Sequence, residues 1–332
     1  MNCSLKNNRW LITGILILLI VILLTLFTGN EAVDSASLFR AFIKGGSAPG
    51  TASLILFGVR IPRLTAGIFC GIALSVSGYL LQKALNNQLA APGIMGINNG
   101  AGLFALLSTM IFGGSFIFRG IMAFTGALIS ILLVWGISKA AGSSKSTVII
   151  SGVAVSAMMS AFLNLFITVR PDSVTDKVAF QLGSLQSIPV PLILFMAVVV
   201  CICLIISFLL TPGMELFALG DETARGLGLS VKKYRYICIL IAGLMAASAV
   251  SCCGLISFVG LIIPNLVRRM RTDSGRIRLI LCIIWGADLV LAADYFARSI
   301  AYPYELPVGM LLSLLGAPFF IFMIITRRKK ID

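Results

Sequence analysis

The chain has 332 residues, of which 59% are hydrophobic and 11% charged, and its 26 Lys and Arg against 12 Asp and Glu give a net charge of +14. A soluble domain cannot hide that much apolar surface from water, so the composition places the chain in a bilayer. The basic residues fall between apolar runs and not on a patch interleaved with aromatics, which excludes a nucleic-acid surface, and the absence of histidine removes the usual proton shuttle and the commonest transition-metal ligand.

A helix needs about 20 apolar residues to cross a hydrocarbon core of about 30 Å. It is also the only open-chain element that satisfies its own backbone there. Ten spans are predicted, over residues 11–29, 62–84, 94–112, 117–138, 147–169, 190–211, 234–251, 256–270, 279–298 and 305–326. The first follows a short basic segment, but its apolar run is too long for a signal-peptide core and reads as a retained anchor. The eighth contains Gly260 and Pro264 and follows Gly254, a pattern that fits a broken or short helix.

A short surface helix over Ser37 to Lys44 precedes the second span, which opens on Arg60-Ile61-Pro62-Arg63 and closes on Gln82 and Asn87-Gln88-Leu89-Ala90-Ala91-Pro92. Two arginines at one end of an apolar span and a polar turn at the other suggest a transport pathway with a docking face and a gate. Gly67, Gly71 and Ser75 share one face of this span, and Gly96 and Gly100 one face of the third, which allows close helix approach. In the fifth span Gly152, Ser156, Ser160 and Asn164 recur at i+4 as a weakly polar stripe. Such a stripe either lines a water-filled pathway or makes interhelical hydrogen bonds.

Pro212-Gly213 is expected to stop the sixth span. Asp221-Glu222-Thr223-Ala224-Arg225 then starts a turn of helix with acids at its N-terminus, where the helix dipole favours them, and Gly226 and Gly228 end it. The result is a projecting knob, either a handle for a partner or an ordinary solvated loop. In the ninth span Asp288 is the one acid near a span centre, a position retained for function when occupied, and Asp294 and Arg298 stand one turn apart as an ion pair. Eight cysteines without a CxxC read as small hydrophobes.

Basic residues are retained on the cytoplasmic side. With both termini inside, the outer set is Arg40, Lys44, Arg60, Arg63, Arg119, Arg170, Lys177 and Arg298, and the rest of the 26 lie inside. No G-x-x-x-x-G-K-[ST] segment occurs, so uphill transport would draw on an ion gradient or a partner.

The order and spacing of several strings carry a resemblance over essentially the whole chain. They are Arg60 to Arg63, the run Gly71, Gly78 and Gln82, Asn87-x-Leu89-Ala90-x-Pro92, Leu219-Gly220-Asp221-Glu222-x-Ala224 with Leu227-Gly228, Phe258-Val259-Gly260-Leu261-Ile262-x-Pro264, Ala293-Asp294 with Arg298, and Glu305-Leu306-Pro307-Val308-Gly309 with Gly316-Ala317-Pro318-Phe319. Together they resemble the FecCD-type permeases of iron-siderophore and cobalamin ABC importers.

The resemblance implies an all-α polytopic membrane protein with about ten transmembrane helices in the BtuC-like type II ABC importer permease fold. It is one domain over residues 1–332, with a membrane core over 11–326 and a coupling loop over 212–233. It further implies a non-catalytic subunit that binds no cofactor, with ATP used by a partner ATPase gripping the loop that carries Gly220, Asp221, Glu222, Ala224, Arg225, Gly228 and Leu229. A binding protein or lipoprotein would dock on Arg60, Arg63 and Arg298. Asn87, Leu89, Ser143 and Ser144 would form or flank the gate, and the chain would pair with itself or a similar permease amid membrane lipid. The expected cargo is a ferric siderophore, with cobalamin or haem as the alternative. Gln88 stands where the family has proline and Asn265 where histidine is common.

Overall fold

The computed structural model describes residues 2–28, 35–44, 50–112, 115–142, 144–169, 178, 180–217, 220–270, 272, 274–300 and 304–328, and among them there is helix but no strand. The helices are α1 (Asn2–Phe27), α2 (Ser35–Lys44), α3 (Thr51–Ile55), α4 (Ile61–Leu85), α5 (Ile97–Phe112), α6 (Phe116–Ala140) and α7 (Lys145–Val169). They continue with α8 (Val190–Leu216), α9 (Asp221–Gly226), α10 (Val231–Cys253), α11 (Val259–Arg269), α12 (Gly275–Ser299) and α13 (Val308–Arg328). Ser143, Arg170, Lys177 and Leu219 lie outside the described residues.

Seven helices among the described residues are long and apolar enough to cross a membrane: Arg9–Phe27, Thr51–Leu85, Phe116–Ala140, Lys145–Val169, Val190–Leu216, Val231–Cys253 and Gly275–Ser299. The expected count of ten is therefore not reached on length. At about 1.5 Å per residue, the 16 residues of α5 and the 11 of α11 fall short of the hydrocarbon thickness. The tenth predicted span contains a shorter apolar helix, Val308–Phe319. The eighth is the short helix that its glycines and Pro264 suggested. Residues 254–258 are non-helical, with Gly254 and Phe258 at positive φ, and α11 begins only at Val259.

Two other boundaries move. The second span starts nine residues before Arg60, because α3 runs into α4 through a π-helical turn over Leu56–Arg60. Pro62 has no N–H to return to the carbonyl four residues back, and the ladder widens there. Pro212 does not stop α8, which continues to Leu216. The nearby carbonyls find hydroxyl donors: Tyr234 Oη donates to Leu210 O at 2.5 Å and Thr211 Oγ1 to Ser207 O at 3.0 Å.

α4 and α10 are mostly enclosed by the bundle, whereas α1, α7 and α8 turn long apolar faces outward, among them Leu194, Ile205 and Leu209 on α8. Only lipid or another apolar surface covers such faces at low cost, so the chain is a multi-pass membrane protein. α4 meets its neighbours backbone to backbone. A Cβ on Gly71 would lie 2.2 Å from Gly286 O of α12, and one on Gly78 would lie 1.8 Å from Gly260 O of α11. Gly78→Ala is therefore expected to cost at least the ~1–3 kcal/mol of an overpacked core. Gly136→Ala, where a Cβ meets nothing within 4 Å, should be neutral or stabilising. Thermal melting of the two purified variants checks the contrast, and equal midpoints would refute the tight crossing.

Candidate functional site

One end of the bundle is organised by Asp221. Gly220, at φ 98°, turns the chain into α9 through a conformation that favours glycine. Ala224 packs fully buried, whereas Glu222, Arg225, Gly228 and Leu227 are exposed and Leu229 is half-buried, so α9 presents one face outward as a knob. Leu229 N–H donates to Ala224 O at 3.0 Å and Gly228 N–H to Arg225 O at 2.9 Å, which close the knob after its last turn.

The Asp221 carboxylate joins three elements. Its Oδ2 accepts from Arg235 Nη2 of α10 at 2.6 Å, and its Oδ1 pairs with Lys145 Nζ, the first residue of α7, at 2.9 Å. Arg235 is 4% exposed, lies over the Phe217 ring, and donates its Nε to Ala84 O at the end of α4, at 3.0 Å. Burial alone would raise the Asp221 carboxyl, but hydrogen bonds and charge from Arg235 and Lys145 outweigh it and hold the group below the usual carboxylate range. Its folded value thus lies below the unfolded value of about 3.9. The contribution of the clamp is complete above that pH and is lost as pH falls through the lower, folded value. Melting midpoints compared between pH 8 and pH 5 should show no change traceable to Asp221, and a wild-type loss absent from Asp221→Asn would contradict this.

From Ala84 the chain enters the turn that follows α4. Asn86 adopts the left-handed conformation at φ 48°, Asn87 N–H donates to Gln82 O at 3.1 Å, and Asn87 Oδ1 accepts from Leu89 N–H at 3.0 Å. From α11, Asn265 Nδ2 donates to Gln88 O at 3.1 Å, and Asn265 Oδ1 accepts from Arg268 at 3.1 Å. Ser144 caps α7, accepting from Thr147 N–H at 3.0 Å, one residue from Lys145. The exposed knob, the turn of Asn87 and Leu89 and the start of α7 are thereby linked through one carboxylate and one guanidinium.

At the opposite end of α4, Arg63 gives Nε and Nη2 to Asp294 Oδ1 at 3.0 and 2.8 Å and Nη1 to Glu305 Oε2 at 2.8 Å. Arg298 adds an ion pair to Asp294 Oδ2 at 3.4 Å, and Gln186 donates to Glu305. Among the described residues two arginines and two acids make up this cluster, and Asp294 is 2% exposed. Arg60 turns toward α1, though its charge still bears on Arg298. It is 5% exposed and its Nη1 donates to Leu26 O of α1 at 2.6 Å.

The model of the FecCD transport family matches residues 17–326. The chain belongs to the FecCD transport family. Among FecCD relatives, the ferric enterobactin transport system permease protein of Escherichia coli K12 is 31% identical over 98% of both chains. The hemin transport system permease protein of Yersinia pestis is 29% identical over 96% of this chain and 97% of its own. A solved inward-facing structure described as a metal-chelate type ABC transporter superposes with a TM-score of 0.83 at 25% identity, over 96% of this chain and 99% of the other.

In this FecCD chain the polar stripe of α7 divides. Gly152 is buried, Ser156 and Ser160 are half-buried and Asn164 is exposed. Ser156 takes the interhelical alternative, with Asn99 Nδ2 of α5 donating to its Oγ at 2.9 Å and its carbonyl at 3.1 Å. Asp288 is 4% exposed, and neither carboxylate oxygen has a hydrogen-bond partner among the described residues. No group of three or more Cys, Asp or Glu among the described residues is placed to hold a metal ion. Sequence reasoning missed Arg235, Lys145, Asn99 and Glu305 as site residues. Arg235 and Lys145 were legible only as members of a basic set, because nothing local marks which cation meets Asp221.

Proposed function

We propose that this chain is the membrane-spanning permease subunit of an ATP-driven ABC importer, carrying a ferric siderophore from a binding protein to the cytoplasm. The observation that carries this reading is the linkage from an exposed helix to a gate-like turn: α9, Asp221, Arg235, Ala84 and the turn of Asn87 and Leu89 form one chain of contacts. A separate ATPase that pushes on Glu222, Arg225 and Leu227 would move Asp221, and through it both α4 and α7. The bundle is oriented with α9 and both termini in the cytoplasm, and ATP is spent by the partner.

A solute-binding protein docks at the opposite end, on the face of Arg63 and Arg298, where Glu305 is the exposed rim of the cluster. Arg60 serves that face indirectly, by tying α1 to α4. Ser160 and Asn164, the half-buried and exposed part of the stripe, line the passage between this chain and a second permease copy or a similar partner, with Gly152 packed behind them. Names among the relatives cover ferric enterobactin, iron citrate, hemin and vitamin B12. Haem or cobalamin is accordingly the alternative cargo.

Buried Asp288 favours a second reading, a self-contained carrier coupled to an ion gradient. Vesicles holding the permease with its ATPase and binding protein should take up a ferric siderophore only with ATP inside. Uptake by the lone chain driven by a proton or sodium gradient, and stopped by Asp288→Asn, would establish the second reading in its place. Arg63→Glu should lower binding-protein-stimulated uptake at least tenfold, and unchanged stimulation would remove the docking role.

A further inference from the structure

A cavity of about 390 Å³ opens beside the turn that follows α4, between the end of that helix, α11 and the start of α12. One water occupies about 30 Å³ in the liquid, so the space admits a hydrated polyatomic ligand. Its walls carry three cations, Lys83, Arg268 and Arg278, together with the side-chain amides of Gln82, Asn86 and Asn87, and no carboxylate among the described residues lines it.

The three charges come from three different helices, α4, α11 and α12, and the charges of Arg278 and Arg268 both bear on Lys83. Arg278 spends its Nε and Nη2 on the neutral carbonyl of Thr272, at 3.0 and 2.9 Å, so that guanidinium is oriented but not neutralised by this contact. The Lys83 ammonium has no hydrogen-bond or ion-pair partner among the described residues, although the backbone carbonyl of Lys83 accepts from Asn86 N–H at 3.2 Å. Arg268 gives Nη2 to the neutral Asn265 Oδ1, and among the described residues Glu215 is the acid whose charge bears on Lys83, its Oε1 held by Gly275 N–H at 2.5 Å. Like charges fixed around one space store repulsion that a bound anion relieves, and guanidinium forks with amide donors suit an oxyanion with several acceptor oxygens.

We propose that this cavity binds a phosphate-class oxyanion, through the charges of Lys83, Arg268 and Arg278 and the amides of Gln82, Asn86 and Asn87. Two sources supply that chemistry, free phosphate and the phosphate of an anionic lipid headgroup. Bound there, the anion would bridge α4, α11 and α12 next to the turn of Asn87.

Thermal melting of the full chain in nanodiscs tests the site independently of transport. In one arm, inorganic phosphate is added to discs of zwitterionic lipid against chloride at matched ionic strength. In the other, discs containing phosphatidylglycerol are compared with zwitterionic discs. Wild type should gain stability in at least one arm and not with chloride, and the arm that responds names the source. Lys83→Gln should weaken the response about tenfold, as expected for losing one charge-assisted contact. Lys83→Arg should retain it. Arg268→Gln provides the same readout should Lys83→Gln fail to fold. No response in either arm, an equal rise with chloride, or identical responses in wild type and the uncharged variants would overturn the proposal.

Discussion

Asp221→Ala is expected to cut ATP-driven uptake at least tenfold while ATP hydrolysis by the assembled transporter continues. Among the described residues this carboxylate touches α7 through Lys145 and α10 through Arg235 at once. Without it, α9 keeps its buried Ala224 anchor and remains a knob, so a partner still finds its handle. What is lost is the path from that handle to Ala84 O and the turn beyond. Arg235→Lys should act in the same direction, because a point charge cannot reach Ala84 O and Asp221 together as the guanidinium fork does. Glu222→Ala, exposed and outside the clamp, should leave uptake within a factor of about two. Parallel measurement of uptake and hydrolysis in vesicles decides the matter. Full uptake in Asp221→Ala would end the linkage argument, and a matching fall in hydrolysis would make the residue one of assembly and not of transmission.

The largest effect on stability is expected at the other end of the bundle. Asp294 is nearly sealed from solvent and faces two arginines, so Asp294→Ala takes from both largely enclosed charges the carboxylate they share. Removing one partner of a buried pair costs about 3–5 kcal/mol, most of it the penalty of the charge left behind. Asp294→Asn keeps an acceptor of similar shape and should cost less. Adding Arg298→Met to Asp294→Ala should recover part of the loss, since one of the stranded charges goes with it. Melting midpoints in detergent read all three. A wild-type midpoint in Asp294→Ala would mean that the cluster holds nothing together.

Features fixed by local chemistry were legible in the sequence. The knob of α9 and its glycine boundaries, the Asp294 and Arg298 pair, and the broken eighth span all follow from neighbours within a few residues. Pro212 misled because a proline is judged by its own helix, whereas α8 is also held from outside there, with Tyr234 of α10 packed at Gly213 and donating to Leu210 O. Arg60 and Arg63 look alike in the string, but only the fold turns one toward Leu26 O and the other toward Asp294. Gln88 and Asn265 are unremarkable as separate letters. In three dimensions the side chain of one holds the carbonyl of the other, which ties the gate-like turn to α11.

The backbone crossings of α4 set a limit on how this bundle can move. Where Gly71 meets Gly286 and Gly78 meets Gly260 there are no rotamers to exchange, so α4, α11 and α12 travel as a single stiff body. α7 packs instead against α5, α6 and the 3-10 turn Pro92–Met95, and among the described residues it shares no such glycine crossing with that body. A passage between two permease copies would then widen by this body moving whole, and tolerance for bulky cargo becomes a property of the seam between the copies.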